Sequence, residues 1–121
     1  MPVKGIDHVQ IAAPPGCEAD ARRFFGDLLG LEEIRKPAVL AERGGCWFKV
    51  GALQVHIGVE QDFRPARKAH IALAVDDIDA LFTALVNAGV ACRRDDDREG
   101  VQRFFSQDPW GNRLEFTEYD P

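Results

Sequence analysis

The chain has 121 residues, of which 45% are hydrophobic, and it carries a formal net charge of −5 with a pI of about 5.1. This size and composition predict one soluble domain with an ordinary core and little disorder. The acidic charge argues against nucleic-acid binding, and no apolar run approaches the roughly 20 residues that a membrane span needs.

The cysteines and the N-terminus bear on the cell compartment. The three cysteines are odd in number and lack C-x-x-C spacing, which disfavours a disulfide framework and a thiolate zinc site. The N-terminus has no apolar region of the kind found in signal peptides. We therefore expect a reduced, cytoplasmic protein.

The first half of the chain predicts a strand, a helix and three short strands. An alternating pattern over residues 6–13 indicates the first strand. The helix is predicted from apolar residues at i, i+3, i+4, i+7 and i+8, namely Ala21, Phe24, Phe25, Leu28 and Leu29. It should end at Gly30. Strands at about 31–36, 45–50 and 53–59 should follow.

The second half repeats this order. A strand over 69–75 precedes a helix whose apolar residues have the same spacing, namely Ile78, Leu81, Phe82, Leu85 and Val86. Asp76 or Asp77 is the predicted N-cap, and Gly89 should end the helix. The predicted strands are about 90–94, 101–107 and 112–118, with a hairpin turn over 108–112.

The repeat predicts the fold class. We expect an α+β domain spanning residues 1–121 and built from two tandem βαβββ modules. Module 1 should cover about residues 4–60 and module 2 about residues 69–119, with a turn-rich linker over 61–68. The strands should form a curved, cup-shaped mixed sheet.

The candidate functional residues recur at equivalent points of the repeat. They are the chain's three histidines and one carboxylate: His8, His56, His70 and Glu115. Strand alternation puts all four on the polar or small-residue face, away from the helices. Imidazole and carboxylate are ligands of divalent transition metals such as Zn, Ni, Co, Mn or Fe. A metal site is therefore the leading functional hypothesis.

The same segments resemble the vicinal oxygen chelate superfamily, which includes glyoxalase I, bleomycin resistance proteins and extradiol dioxygenases. The resemblance lies in HVQIA and HIALAVDDIDALFTALVNAGV as strand–helix openings and in DPWGNRLEF as the closing hairpin. In the family's metalloenzymes the ligands come from the first and last strands of each module. The resemblance thus implies that His8, His56, His70 and Glu115 bind the metal, with His56 or Glu115 as the catalytic base.

The implied activity is a glyoxalase-like lyase or isomerase reaction, in which a substrate chelated by the metal undergoes proton transfer. Glyoxalase I typically has Glu or Gln where this chain has His56. Its glutathione-anchoring positions correspond to Ala12 and Glu60 here, which are unsuited to a glutathione carboxylate. Arg64 and Arg67 lie between two candidate ligands, and Arg103 and Arg113 lie on strands that should border the cup. We therefore expect these four arginines to bind a small, anionic, oxygen-bearing substrate.

Two alternatives remain open at this point. His8, His70 and Glu115 could form the two-His-one-carboxylate site of an Fe(II) ring-cleaving dioxygenase, with His56 as an acid or base behind it. The chain could also be a metal-free binding protein of the bleomycin-resistance type.

The small family members imply a homodimer, with each cup built from one module of each subunit. Asp95-Asp96-Asp97 lacks EF-hand spacing and predicts a solvated turn.

Overall fold

The structure, a computed structural model, describes residues 2–120. The chain divides into two compact units, the first reaching Arg64 and the second starting at Pro65. This boundary lies inside the segment 61–68 that the sequence predicts as a linker. No helix within residues 2–120 is long and apolar enough to cross a membrane.

Module 1 forms a four-stranded mixed sheet. Its elements are β1 (His8–Ala13), α1 (Glu18–Ala21) with a π-helical continuation (Arg22–Leu28), β2 (Glu32–Ile34), α2 (Ala38–Ala41), β3 (Cys46–Val50) and β4 (Leu53–Val59). The strand order is β1-β4-β3-β2. β1 and β4 are parallel, and the other neighbours are antiparallel.

Module 2 repeats this sheet. Its elements are β5 (Ile71–Ala74), α3 (Ile78–Asn87), β6 (Arg93–Arg94), β7 (Val101–Gln107) and β8 (Arg113–Tyr119). The order β5-β8-β7-β6, with β5 and β8 parallel, matches that of module 1. The predicted α+β class and the repeated βαβββ order are therefore confirmed, and each module forms its own open sheet.

The first helix differs from the prediction. The sequence predicts one amphipathic α-helix, whereas after four α-helical residues the chain widens into a π-helical segment, in which the N–H of Leu29 donates to the carbonyl of Phe24 at 3.0 Å. Adjacent Phe24 and Phe25 are 4% and 0% exposed and meet edge to face. Adjacent residues of an α-helix point about 100° apart. Both rings nevertheless lie in the core, as the apolar pattern predicts.

The core of each module lies on the sheet face that the alternation predicts. Val55 and Ile57 of β4 are buried in module 1, as are Leu114 and Phe116 of β8 in module 2. Burying each such side chain contributes about 1.5–3 kcal/mol. The central strands β4 and β8 are also buried on their other face, where the candidate site residues lie.

The second helix follows its sequence signals. Asp77 is the N-cap, and its side chain accepts a hydrogen bond from the N–H of Ala80 at 3.1 Å. Gly89 has a φ of +84°, the left-handed conformation that ends many helices. Ile78 and Leu85 are buried, and Phe82 packs edge to face on Phe104.

Candidate functional site

The strand register places His56 and Glu115 at equivalent centres of the two modules. In module 1, His56 on β4 lies between Gln10 of β1 and Trp47 of β3. In module 2, Glu115 on β8 lies between Ala72 of β5 and Phe105 of β7. Both candidates thus occupy a central strand, with an aromatic residue on one side.

Aromatic rings enclose His56 within module 1. Its ring stacks on Trp47 with centroids 3.9 Å apart and planes 4° apart, and on its other side it stacks on His8 at 4.2 Å and 15°. His56 is 5% exposed, so it is more deeply buried than a residue on an open polar face. Trp47 takes part in this stack, a contact that its sequence position alone does not reveal.

Hydrogen bonds orient the two histidines of module 1, His8 and His56, and burial affects the pKa of His56. Nε2 of His56 lies 2.9 Å from the amide oxygen of Gln54, which shares its strand face. Nδ1 of His8 lies 2.9 Å from the exposed carboxylate of Asp7. Burial, and secondarily the neighbouring His8, lowers the pKa of His56 below its usual 6.5. The ring is therefore neutral near pH 7.

His70 and Glu115 meet within module 2. Nε2 of His70 is 3.0 Å from Oε1 of Glu115, and Nδ1 is 2.9 Å from the backbone carbonyl of Lys68. Because a carbonyl oxygen can only accept a hydrogen bond, Nδ1 must carry a proton. Nε2 and the Glu115 carboxylate then face each other. They can share either a second ring proton or a cation between them. His70 is predicted as part of the strand over 69–75 but lies just before β5, where this backbone contact orients its ring.

Two further charged side chains extend from Glu115 in a row of ion pairs. Its second oxygen, Oε2, lies 3.5 Å from Arg103, whose other terminal nitrogen lies 3.3 Å from Asp95. The Asp95 side chain is 15% exposed. The expectation that the whole 95–97 run is a solvated turn is therefore wrong for Asp95. The pairing could not be read from the sequence, because the two residues are eight positions apart.

Three arginines surround Phe105 in module 2. The guanidinium carbons of Arg93, Arg103 and Arg113 lie 5.2, 5.1 and 4.2 Å from its ring centroid. The His70 ring meets the same phenyl group at an interplanar angle of 76°, with centroids 5.8 Å apart. Phe105 therefore connects the His70–Glu115 pair to a cationic surface.

The four arginines predicted to bind substrate occupy different settings. Arg67 and Arg113 line one cavity of about 230 Å³ together with Ser106, Gln107 and Gly111. Arg103 is partly buried in its ion pairs with Asp95 and Glu115. Arg64 is exposed at the end of the first unit.

Module 1 has a cavity of its own beside the His56 stack. It measures about 180 Å³, and its lining includes Gln10, Lys36, Arg43 and Trp47. Lys36 donates a hydrogen bond to the carbonyl of Gly44. Sequence reasoning missed this cavity, because Lys36 and Arg43 flank the short helix α2, which the sequence patterns did not predict.

The donor atoms can be compared with the needs of a metal ion. His70 Nε2 and Glu115 Oε1 have the separation of neighbouring ligands on one cation, about 3 Å for bonds of about 2.1 Å. The rings of His8 and His56 instead lie face to face, and one nitrogen of each is hydrogen-bonded to another side chain. Within residues 2–120, no three His, Cys, Asp or Glu side chains form a metal-ligand cluster. The predicted ligands occur as one pair in each module.

Comparisons with known proteins agree with this architecture. The model of the Glyoxalase/Bleomycin resistance protein/Dioxygenase superfamily matches residues 5–116. A glyoxalase family protein from Bacillus anthracis is 52% identical, with a TM-score of 0.93 over 98% of this chain and 97% of that one. No curated protein matches the sequence significantly.

Two more distant structures share the fold. Lactoylglutathione lyase from Agrobacterium tumefaciens is 18% identical, with a TM-score of 0.76 over 98% of this chain and 96% of its own. A glyoxalase/dioxygenase from Nostoc punctiforme is also 18% identical, with a TM-score of 0.79 over 98% and 92%. With the match over residues 5–116 and the 52% identical relative, the chain belongs to the Glyoxalase/Bleomycin resistance protein/Dioxygenase superfamily.

Proposed function

We propose that this protein is a metal-dependent enzyme that catalyses proton transfer on a small, oxygen-bearing substrate, as a lyase or isomerase does. The observation that carries the proposal is the His70–Glu115 pair, whose donor atoms lie 3.0 Å apart. The Lys68 carbonyl holds the far side of the imidazole, a common arrangement behind a metal-ligating histidine. Membership of a superfamily that contains glyoxalases supports the same conclusion.

The residues that would hold the cation are His70, Glu115 and His8, with His56 as a fourth ligand or as the base. The bound divalent metal, one of Zn, Ni, Co, Mn or Fe, would supply Lewis acidity to a substrate oxygen. We also propose a homodimer in which each metal takes one ligand pair from each subunit, as the small family members imply.

The surrounding side chains define the roles of the two candidate bases. Arg103 holds Oε2 of Glu115, which leaves Oε1 facing His70. His56 is shielded from water between two rings and is neutral near pH 7, so it can accept a proton. We propose that one of these two groups removes a proton from the carbon beside the substrate's carbonyl and that the same group returns it.

A metal-dependence assay tests this proposal. Chelated protein would be reconstituted separately with Zn, Ni, Co, Mn or Fe(II) and assayed on α-oxo acids, hemithioacetals and catechols. We expect turnover of a carbonyl substrate with a redox-inert metal, because proton transfer needs only a Lewis acid. Absence of turnover with every reconstituted metal across the carbonyl substrates would contradict the proposal.

The hydrogen bonding of His56 favours one second candidate, a ring-cleaving dioxygenase. Nε2 of His56 already lies 2.9 Å from the amide oxygen of Gln54, which supports a three-ligand site of His8, His70 and Glu115. Two histidines and one carboxylate are the ligand set of many Fe(II) oxygenases. Turnover of catechols with Fe(II) and O₂ alone, with none of the carbonyl substrates, would favour this candidate.

A further inference from the structure

Arg67 and Arg113 differ from Arg93 and Arg103 in their surroundings. They line one cavity of about 230 Å³, and within the described residues neither forms an ion pair with a carboxylate. Arg93 and Arg103, by contrast, both lie against Asp95. Two arginines at one cavity, neither in an ion pair with a carboxylate of the described residues, create a positive potential that an oxyanion can neutralise.

The position of this cavity relates it to the proposed reaction centre. Arg113 and Glu115 are two residues apart on β8 and therefore share a face. The Arg113 guanidinium lies 4.2 Å from the centroid of Phe105, which is paired with Glu115 across the sheet and lies at a steep angle to the His70 ring. Arg113 of the cavity and the His70–Glu115 pair thus contact the same aromatic ring.

Backbone hydrogen bonds hold Arg67 beside Arg113. The N–H of Ala66 donates to Oδ1 of Asn112 at 2.8 Å, and the N–H of Arg113 donates to the carbonyl of Ala66 at 2.8 Å. Asp108, which is 3% exposed, in turn accepts hydrogen bonds from the backbone and side chain of Asn112 at 2.9 and 2.7 Å. The segment before β5 is therefore fixed to the β7–β8 turn, which reduces the ordering cost of binding at this cavity.

We propose that Arg67 and Arg113 form the subsite for an oxyanionic group of the substrate, a carboxylate or a phosphate. Asp108 and Asn112 are positioning residues that keep the two arginines together. The inference rests on the proposed function, since it names the part of the substrate that lies away from the reacting oxygen.

Anion binding by the metal-free protein tests the subsite separately from the metal. Chelated protein would be titrated with inorganic phosphate and with acetate at low ionic strength, while NMR follows the backbone amides of Gly111 and Arg113. We expect saturable shifts in the wild type, and the more tightly bound probe identifies the anion class. Arg67→Ala and Arg113→Ala should each weaken binding about tenfold, because a charge-assisted hydrogen bond is lost.

Two further variants make the result specific. Arg93→Ala removes the same charge beside the same phenyl ring but leaves the cavity intact, and it should change affinity less than about twofold. Arg113→Lys keeps the charge but loses the guanidinium fork, and it should weaken binding several-fold. Equal losses in Arg93→Ala and Arg113→Ala, or no saturable binding to the wild type, would overturn the subsite. Anion binding by a protein that never binds metal would preserve the subsite and reject the metal-dependent function.

Discussion

His70 and Glu115 face each other with Nε2 and Oε1 3.0 Å apart, although they are 45 positions apart in the sequence. The parallel pairing of β5 with β8 creates this approach, because it sets Ala72, two residues after His70, directly opposite Glu115. Arg103 and the Lys68 carbonyl then hold the outer side of each group. Both donor groups are therefore oriented before any ligand arrives.

Two substitutions at His56 separate its alternative roles. His56→Phe keeps a ring between Trp47 and His8, whereas His56→Ala also removes the stack. If His56 acts as a base behind the ligands, both variants should lose activity while metal affinity falls only about tenfold. The measurement is a metal titration beside an activity assay. A loss of metal affinity by several orders of magnitude in His56→Phe would instead identify a direct ligand.

Mixing two inactive variants tests the shared site of the proposed homodimer. We expect a mixture of His8→Ala and Glu115→Ala proteins to regain metal binding, because each heterodimer would contain one site with both ligand pairs intact. Each variant alone, taken through the same exchange procedure, is the control. If mass spectrometry shows exchanged subunits and metal binding stays absent, the ligand pairs of different subunits do not combine.

Removal of the Asp108 carboxylate should destabilise module 2. Asp108→Ala leaves the N–H groups of Trp110 and Asn112 without this acceptor, and Asn112 is 4% exposed. We expect a loss of about 2–3 kcal/mol in the free energy of unfolding, because several hydrogen bonds to a buried carboxyl group are lost. Asp96→Ala, in an exposed turn, is the matched control and should change stability by less than about 0.5 kcal/mol. Equal denaturation midpoints for both variants would contradict this assignment.

Glu18 should contribute to the decrease in the free energy of unfolding at low pH. The N–H of Gly45 donates to its carboxylate at 2.6 Å, and this hydrogen bond is the main cause of a pKa below the usual 4.5. The stabilisation is therefore complete above pH 4.5 and is lost as the pH falls through the lowered pKa. Glu18→Gln should cost about 1 kcal/mol at pH 7, since a neutral amide accepts the bond more weakly.

The pH profile of unfolding checks this prediction. The stability difference between wild type and Glu18→Gln should shrink below pH 4.5, because the wild-type carboxylate then becomes protonated. Glu42→Gln changes an exposed carboxylate of the same module and should leave the profile unchanged. A difference that stays constant from pH 7 to pH 3 would show that the charge of Glu18 is not responsible.

Local sequence patterns predicted most of the helices and strands. They failed where the local pattern does not determine the backbone conformation. Period-2 and period-3.6 patterns predicted the sheets and α3, because one face of each element is buried. The same pattern around Phe24 could not distinguish an α-helix from a π-helix, because it indicates which side chains are buried and not which backbone groups are hydrogen-bonded. The helix α2 was missed because four residues are too few for a periodic signal.

The strand positions of the candidate residues were predictable from the sequence, but their contacts were not. Equivalent places in the repeat identified His56 and Glu115 at the two module centres. The His56 stack on Trp47 and the Arg103–Asp95 pair depend on side-chain conformations and loop paths that no strand pattern encodes. The stacked state of His56 therefore became visible only in the structure.

Metal affinity of matched glutamate variants tests the central claim most directly. Reconstituted wild type and Glu99→Gln, which changes an exposed carboxylate of module 2, should bind one divalent metal per proposed site by elemental analysis and calorimetry. Glu115→Gln should lose about 100-fold or more in affinity, because it removes the one charged ligand of the proposed set. Wild-type protein that retains no Zn, Ni, Co, Mn or Fe, or a Glu115→Gln variant that binds as tightly as Glu99→Gln, would contradict the account.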